Sequence, residues 1–267
     1  MPERPPLSAR ALLRLATEQR ELEAREERPL AVAGTRKLVS ALVRELSPNA
    51  APGSVVQNGE LARAEAVVYV LEGEPSRTDV HKLRDAGLER VPIVCIRIGE
   101  GSDLLPNVLA TDVVNAESAA DLPVEELGRI LAQRLEGGSV ALAARIPALR
   151  AGICRELIHR SARRSAAVGA AVFIPAPDLP ALYIEQARLI LQLGFAYGRR
   201  LEPLRAAELV AVLVAGLGLR RVARVVRRET LFPSWALQGA IAYAGTLALG
   251  EAALAYFSNT GRQGPTA

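Results

Sequence analysis

Short apolar segments alternate with amphipathic segments along the first half of the chain. Four short runs are apolar on both faces, at 29–34, 66–73, 91–99 and 108–114. Candidate helices accompany them at 36–46, 77–87 and 122–136. Doubly apolar strands that alternate with helices are typical of a parallel sheet covered on both sides. Residues 29–137 are therefore predicted to form a three-layer, doubly wound α/β domain.

The pattern changes after Gly137 and Gly138, where the strand-like runs stop. Helical periods then dominate, at 140–164, 180–198, 204–217, 219–229 and 234–257. A loop is predicted between the first two, because proline lacks the N–H that a helix interior needs, and the chain carries Pro175, Pro177 and Pro180. The predicted fold class is thus α/β plus all-α, with a helical bundle domain at 138–258 and a flexible tail at 259–267.

The N-terminal segment 1–28 is predicted to be a separate helix that is mostly exposed to solvent. Residues 7–27 contain no glycine or proline, and Ser8 can cap the start of the helix. Arg10 and Arg14 lie where a secretory leader would carry its apolar region, so a cleaved leader is not expected.

Composition excludes several classes of protein and offers little catalytic chemistry. Half of the residues are hydrophobic and 4% are aromatic, which excludes disordered, collagen-like and disulfide-scaffold proteins. The two cysteines, Cys95 and Cys154, lie in apolar stretches and are interpreted as buried structural thiols of a reducing compartment. Cys154 and His159 are about 140° apart on a helix, which disfavours a dyad. With His81 as the remaining histidine, neither a catalytic set nor a metal site is predicted.

Charge is distributed unevenly along the chain. Residues 1–150 carry 19 basic and 22 acidic side chains, whereas residues 151–267 carry 14 and 7. The second half is therefore expected to face an anionic partner, which could be lipid headgroups, nucleic acid or the acidic first half.

Five arginines concentrate positive charge on one face of the predicted helix 219–229. At about 100° per residue they share an arc of roughly 120°, and they are Arg220, Arg221, Arg224, Arg227 and Arg228. Such a face can bind an anionic membrane surface or an acidic protein, or it can simply be solvated. Nucleic acid is disfavoured because no aromatic side chain is interleaved with the arginines.

One segment has the length of a membrane span. Residues 231–250 form an uncharged stretch of twenty residues, which matches the ~20 residues that cross a bilayer core. Pro233, Gln238 and Thr246 interrupt it, so the stretch also suits a buried helix of a bundle. Both interpretations stay open.

The turn after the first predicted strand is where an α/β domain would place a phosphate cradle, since backbone N–H groups and a helix N-terminus meet there. It comprises Gly34, Thr35, Arg36 and Lys37, followed by Leu38. A P-loop needs a second glycine and a hydroxyl directly after its lysine. Because this turn lacks both, a tight turn with a solvated Arg36 and Lys37 is favoured over nucleotide binding.

Three segments carry a family resemblance, namely LAVAG with RKLVSALVREL, then LARAEAVVYVLEG, and then VPIVCIRIG. Their order resembles the skeleton of an Era-like small GTPase domain. The signature residues of that family are missing. The chain has Gln57-Asn58-Gly59-Glu60 in place of the D-x-x-G switch, and Arg97-Ile98-Gly99-Glu100-Gly101 in place of the guanine-reading N-K-x-D. The resemblance implies a degenerate, P-loop GTPase-like fold, that is, a pseudo-GTPase.

Residues 143–258 resemble the helical domain of unknown function that often follows Era-like GTPases and occurs in YcjF-like inner-membrane proteins. The resemblance rests on the stretch ARIPALRAGICRELIHRSARRSAAVGAAVFIPAPDLP and on the closing AYAGTLALGEAA. It implies an architecture and a membrane context rather than an activity. Asp178, within the proline cluster, is predicted to cap the helix that follows.

These features predict a non-catalytic scaffold or regulatory protein at the cytoplasmic face of a membrane, without a cofactor. The expected partners are an anionic membrane surface or an acidic protein such as an intact GTPase. Two alternatives stay open. The chain could bind GTP through an unorthodox phosphate turn at Gly34 and Lys37, or it could be a soluble cytoplasmic interaction protein with no membrane role.

Overall fold

The computed structural model describes residues 9–24, 28–58, 61–101, 105–135, 137–171, 179–199 and 234–262. Contacts within the chain divide it into two compact units. The α/β unit comprises Arg25–Glu156, and the helical unit comprises Met1–Ala24 together with Leu157–Ala267.

A five-stranded parallel sheet forms the centre of the α/β unit. Its strands are β1 (Leu30–Gly34), β2 (Val55–Gln57), β3 (Ala66–Glu72), β4 (Ile93–Ile98) and β5 (Val113–Ala116). The order across the sheet is β2-β1-β3-β4-β5, and every neighbouring pair is parallel. This order is one of the two common arrangements of doubly wound sheets.

Helices cover both faces of the sheet, as predicted. Helix α2 (Arg36–Leu46) follows β1, α3 (Arg77–Leu88) follows β3, and α4 (Val124–Arg134) follows β5. On one face, Leu83 and Ala86 of α3 pack with strand residues that include Tyr69 and Cys95. Helices α2 and α4 contact the sheet outside this cluster. The coarse prediction of an α/β fold followed by a helical region is therefore confirmed.

Two details of the predicted strands are wrong. Strand β2 was not predicted, because it has only three residues and none of them is buried. The strand predicted at 108–114 starts later, since a 3-10 turn occupies Ala110–Asp112. The buried carboxylate of Asp112 accepts hydrogen bonds from Arg134, with Nε 2.8 Å from Oδ1, and this contact holds the turn against the end of α4.

The helix predicted at 140–164 is two helices. Helix α5 (Gly138–Arg145) ends before a 3-10 turn at Pro147–Leu149, and α6 spans Arg150–Ala171. Pro147 explains the break, because it removes one helical hydrogen bond and clashes with the preceding turn.

The boundary between the two units differs from the predicted boundary at 137/138. It falls after Glu156, so α5 and the start of α6 belong to the α/β unit. Gly128 of α4 and Gly152 of α6 bring the two helices together, and a Cβ on Gly128 would lie 2.7 Å from the Leu149 carbonyl oxygen and 3.3 Å from the Gly152 Cα. Two facing glycines allow the two helix backbones to approach closely. The change in composition at the glycine pair 137–138 does not reveal this contact, so the predicted boundary lies too early.

The helical unit is built from both ends of the chain. It contains α1 (Ala9–Ala24), α6 from Leu157 onwards, α7 (Leu179–Ala196) and α8 (Ser234–Arg262). Small residues bring α6 and α8 together, because a Cβ on Gly239 would lie 3.1 Å from the Ala166 carbonyl oxygen. The predicted helices at 204–217 and 219–229, and Pro175, Pro177 and Asp178, lie outside the described residues.

One of the described helices could cross a membrane by length and composition. This is the part of α8 at Ala236–Asn259, with a mean hydropathy of 1.3. Within the structure, 39% of its most apolar window is buried. A core helix of a soluble protein meets the same criteria, so both interpretations of residues 231–250 remain predictions.

Candidate functional site

The candidate site lies at the carboxyl ends of β1 and β3. Because β2 and β3 flank β1 on opposite sides, the order of the strands reverses at β1. Ligands of open α/β sheets bind outside the carboxyl ends of the strands at such a switch point. The predicted turn from Gly34 to Lys37 joins β1 to α2 and lies at this edge.

The turn is closed against β3 by its own backbone. Gly34 has a φ of 121°, and a Cβ at this position would lie 2.8 Å from the Val70 amide nitrogen. The Thr35 N–H donates a hydrogen bond to the Val70 carbonyl oxygen at 2.9 Å. Helix α2 begins at the next residue, and the side chains of Arg36 and Lys37 are exposed. The strand pairing therefore continues into the turn and leaves no loop.

This turn does not fit a nucleoside triphosphate with magnesium. A phosphate cradle needs several backbone N–H groups that point at the ligand, and the sheet uses the one on Thr35. The residue after Lys37 is Leu38, which is buried and has no hydroxyl for a metal. The exposed carboxylates of Glu72 and Glu74, where β3 ends, add negative charge at the same edge of the sheet.

The segment 57–60, which the chain has in place of the D-x-x-G switch, begins at the end of β2. Gln57 ends β2, and the Asn58 N–H donates a hydrogen bond to the Val32 carbonyl oxygen at 3.0 Å. Gly59 and Glu60 lie outside the described residues. Neither Gln57 nor Asn58 has the carboxylate that binds magnesium in phosphoryl transfer.

The segment 97–101, which the chain has in place of the guanine-reading N-K-x-D, lies at the end of β4 and packs against the loop after β3. The Gly73 N–H donates to the Ile98 carbonyl oxygen at 2.8 Å, and a Cβ on Gly101 would lie 3.0 Å from the Gly73 carbonyl oxygen. Arg97 is buried, and its Nη2 donates to Oδ1 of Asn115 at 2.9 Å. The Arg97 side chain, near the end of β4, is thus hydrogen-bonded to β5.

A buried tyrosine and an aspartate form a polar link that the sequence pattern did not predict. The Tyr69 hydroxyl on β3 donates to Asp79 Oδ1 at 2.7 Å. Asp79 Oδ2 accepts hydrogen bonds from the Ser76 hydroxyl at 2.6 Å and from the Ser76 N–H at 2.9 Å. Ser76 and Asp79 form a capping box at the start of α3. The signal was present as S-x-x-D before a helix.

The electrostatics of this link follow from burial and hydrogen bonding. Burial raises the pKa of Tyr69, and the hydrogen bond to Asp79 raises it further. For Asp79, burial acts to raise the pKa, but the hydrogen bonds from Ser76 and Tyr69 prevail and lower it. Tyr69 is therefore neutral and Asp79 ionised over the physiological range.

Both thiols are buried and free. Burial raises the pKa of Cys95 to about 12, although the nearby Arg97 acts to lower it. Burial likewise raises the pKa of Cys154 to about 12. Since the thiolate is the reactive form, neither cysteine is activated as a nucleophile at neutral pH.

The other candidate residues are not brought together. His81 forms an exposed pair with Asp85 at 3.1 Å, and His159 Nδ1 lies 3.3 Å from the Tyr243 hydroxyl. In the part of the chain that the structure describes, no three metal-ligating side chains form a cluster. The five arginines of the basic face lie outside the described residues, so that surface stays a prediction: Arg220, Arg221, Arg224, Arg227 and Arg228.

Comparisons with known proteins do not assign a family. No protein-family model matches the chain, and no curated protein matches it. The likeness to Era-like GTPases and to YcjF-like proteins therefore rests on the residue patterns alone.

The closed turn makes a prediction about two glycines. Gly34→Ala should destabilise the α/β unit by about 3 kcal/mol or more, because both the positive φ and the contact with Val70 oppose a Cβ. Gly53→Ala is the matched control, since Gly53 has a φ of 73° but no atom within 4 Å of the added Cβ. It should cost about 1–2 kcal/mol from φ alone. Urea unfolding measures both, and equal losses would contradict a closed turn.

The Tyr69–Asp79 link predicts a pH-dependent loss of stability. Because the pKa of Asp79 is lowered on folding, its contribution is present above the unfolded value of 3.8 and is lost as the pH falls through the folded value. Tyr69→Phe should therefore cost about 1–2 kcal/mol at pH 7, and the cost should shrink in acid. Urea unfolding at pH 7 and at acid pH measures this cost, and Tyr183→Phe in the helical unit is the control. A cost that does not change with pH would count against the link.

Proposed function

We propose that this chain is a pseudo-GTPase, a catalytically silent scaffold or regulatory protein that works by binding at the cytoplasmic face of a membrane. The α/β unit would be a degenerate P-loop GTPase-like domain. The partners would be an anionic membrane surface or an acidic protein such as an intact GTPase.

The hydrogen bond from the Thr35 N–H to the Val70 carbonyl oxygen carries this proposal. A nucleotide-binding turn cradles the phosphates with several backbone N–H groups, which come from a glycine-rich loop and from the N-terminus of the following helix. Here the sheet takes the first of them, and α2 begins before a loop can form. Phosphoryl transfer depends on positioned phosphates and magnesium, and these residues supply neither.

The position of the turn in the sheet supports a GTPase-like origin but does not distinguish it from other origins. The turn at Gly34 follows the first strand and lies beside the switch point, where a P-loop would be expected. The same strand order occurs in other doubly wound proteins, so the origin rests on the sequence resemblance.

The membrane part of the proposal rests on charge and on α8. The second half of the chain has an excess of basic residues, 14 against 7 acidic ones. The predicted basic face at 220–228 would add about 1 kcal/mol per arginine near an anionic surface. Helix α8 has the length and composition of a span.

The exposed Arg36 and Lys37 keep one alternative testable. They lie in the first turn of α2, where the helix dipole favours an anion. A second chain that supplied the missing loop could complete a phosphate site there. GTP binding through Gly34 and Lys37 would then replace the silent role.

Titration with a fluorescent GTP analogue and magnesium decides between these functions. We expect no saturable binding by the full chain, and no difference between the wild type and Lys37→Ala. Arg84→Ala, an exposed cation on α3, is the control for unspecific attraction. Saturable, magnesium-dependent binding that Lys37→Ala abolishes and Arg84→Ala preserves would overturn the pseudo-GTPase proposal.

Flotation with vesicles tests the membrane role. The wild type should bind phosphatidylcholine vesicles that contain phosphatidylserine, and salt should weaken the binding. Charge reversal by Arg221→Glu, Arg224→Glu and Arg228→Glu should lower the partition coefficient by about 100-fold or more. A wild-type chain that stays entirely in the high-speed supernatant at moderate salt, with or without vesicles, would contradict the membrane role and favour the soluble interaction protein.

A further inference from the structure

One face of α1 carries exposed side chains along its whole length. At about 100° per residue, six residues share an arc of roughly 120°. All six are exposed, and together they are called the outer face of α1: Arg10, Leu13, Arg14, Thr17, Arg20 and Glu21. This face combines three positive charges with one negative charge.

The opposite side of α1 is held by α7, which fixes the outer face towards solvent. Leu15 is 1% exposed. Arg188 of α7 grips the Glu18 carboxylate with both arms of its guanidinium, Nε to Oε2 at 2.7 Å and Nη2 to Oε1 at 2.7 Å. Arg188 also donates to Glu185 at 2.7 Å. Because the fork is bidentate, α1 cannot turn about its axis without losing it.

The outer face has an apolar side chain between its charges. Leu13 is 68% exposed and neighbours Arg10 and Arg14, which are three positions before it and one after it. The ion pairs of the described residues involve Glu18 but none of the three arginines of the outer face. Among the described residues, the three arginines and Leu13 are therefore exposed and available to a partner outside the chain.

A lipid surface fits this face better than a protein does. Guanidinium groups can stay with phosphates while their stems and the leucine reach the acyl boundary. A specific protein partner needs buried anchors in matching pockets, and the outer face of α1 offers a single leucine on one convex helix. A fluid bilayer adapts to such a helix.

We propose that the outer face of α1 binds anionic lipid headgroups of a bilayer. This inference rests on the proposed membrane role and gives that role a second surface, separate in sequence from the basic face at 220–228. Helix α1 then lies along the membrane surface while its inner side remains packed on α7.

Two triple variants of the full chain test the assignment. Arg10→Gln, Arg14→Gln and Arg20→Gln should lower the partition coefficient on phosphatidylcholine–phosphatidylserine vesicles by about 100-fold. The matched control removes the same charge from exposed positions of α3, by Arg77→Gln, Lys82→Gln and Arg84→Gln. It should leave binding unchanged. Equal losses in both triples, or no loss in the α1 triple, would overturn the proposal.

Two further variants separate the role of charge from that of apolar contact. Glu21→Gln should raise the partition coefficient about 5-fold, because it removes a negative charge from the outer face. Leu13→Ala should weaken binding, whereas Leu88→Ala, at a leucine that is 81% exposed in the α/β unit, should not. Circular dichroism confirms that each variant keeps its helices. A Glu21→Gln variant that binds more weakly would overturn the proposal.

The same assay distinguishes failure of this inference from failure of the proposed function. If the wild type binds anionic vesicles and the Arg221, Arg224 and Arg228 reversal abolishes binding while the α1 triple does not, the inference about α1 is wrong and the membrane role stands. If the wild type binds no vesicle, both are wrong. Salt-sensitive binding to polyglutamate but not to vesicles, lost in the α1 triple, would overturn lipid in favour of an acidic protein.

Discussion

The contact between the β1–α2 turn and β3 constrains the rest of the α/β unit. Gly34 continues the pairing with β3, and the Thr35 N–H still reaches the Val70 carbonyl oxygen. Only glycine tolerates this combination of positive φ and close backbone. The same contact that anchors α2 to the sheet also takes up the Thr35 N–H and shortens the turn in which a phosphate-binding loop would lie. At this position, the packing of α2 on the sheet uses a backbone N–H, that of Thr35, which could otherwise face a phosphate.

The centre of the fold could be predicted from the sequence because its strands are buried on both faces. Strand β1 is an apolar run, strands β3 and β4 are apolar apart from Glu72 and Arg97, and this hydrophobicity identifies the three strands. β2 could not be found in this way, since two of its three residues are half-buried, Gln57 is exposed, and the strand is held by pairing with Leu30–Val32. The late start of β5 depends on the contact between Asp112 and Arg134, which are far apart in sequence. Such tertiary contacts leave no periodic signal.

The candidate site was predictable in part. The missing glycine and hydroxyl of the turn are visible in the sequence, whereas the hydrogen bond between Thr35 and Val70 that closes it is not. The Tyr69–Asp79 link has a local half, the capping box with Ser76, and a long-range half that only the packing of α3 on β3 creates. The partnership of α1 with α7 joins Glu18 and Arg188 across most of the chain. The pattern of an amphipathic helix indicates which side is covered, but it does not identify the element that covers it.

A chain whose phosphate turn is closed would have to be regulated differently from a GTPase. A nucleotide switches a protein only through different affinities for two conformations. If no triphosphate binds, a nucleotide cannot shift the protein between two conformations. The fraction of the protein that is bound to a partner then follows the concentration of that partner and the ionic strength. Electrostatic surfaces respond to both, because each exposed arginine adds about 1 kcal/mol near anionic lipid and loses it as salt screens the attraction. Under the proposed function, the lipid composition of the membrane would therefore take the place that the nucleotide state has in an active GTPase.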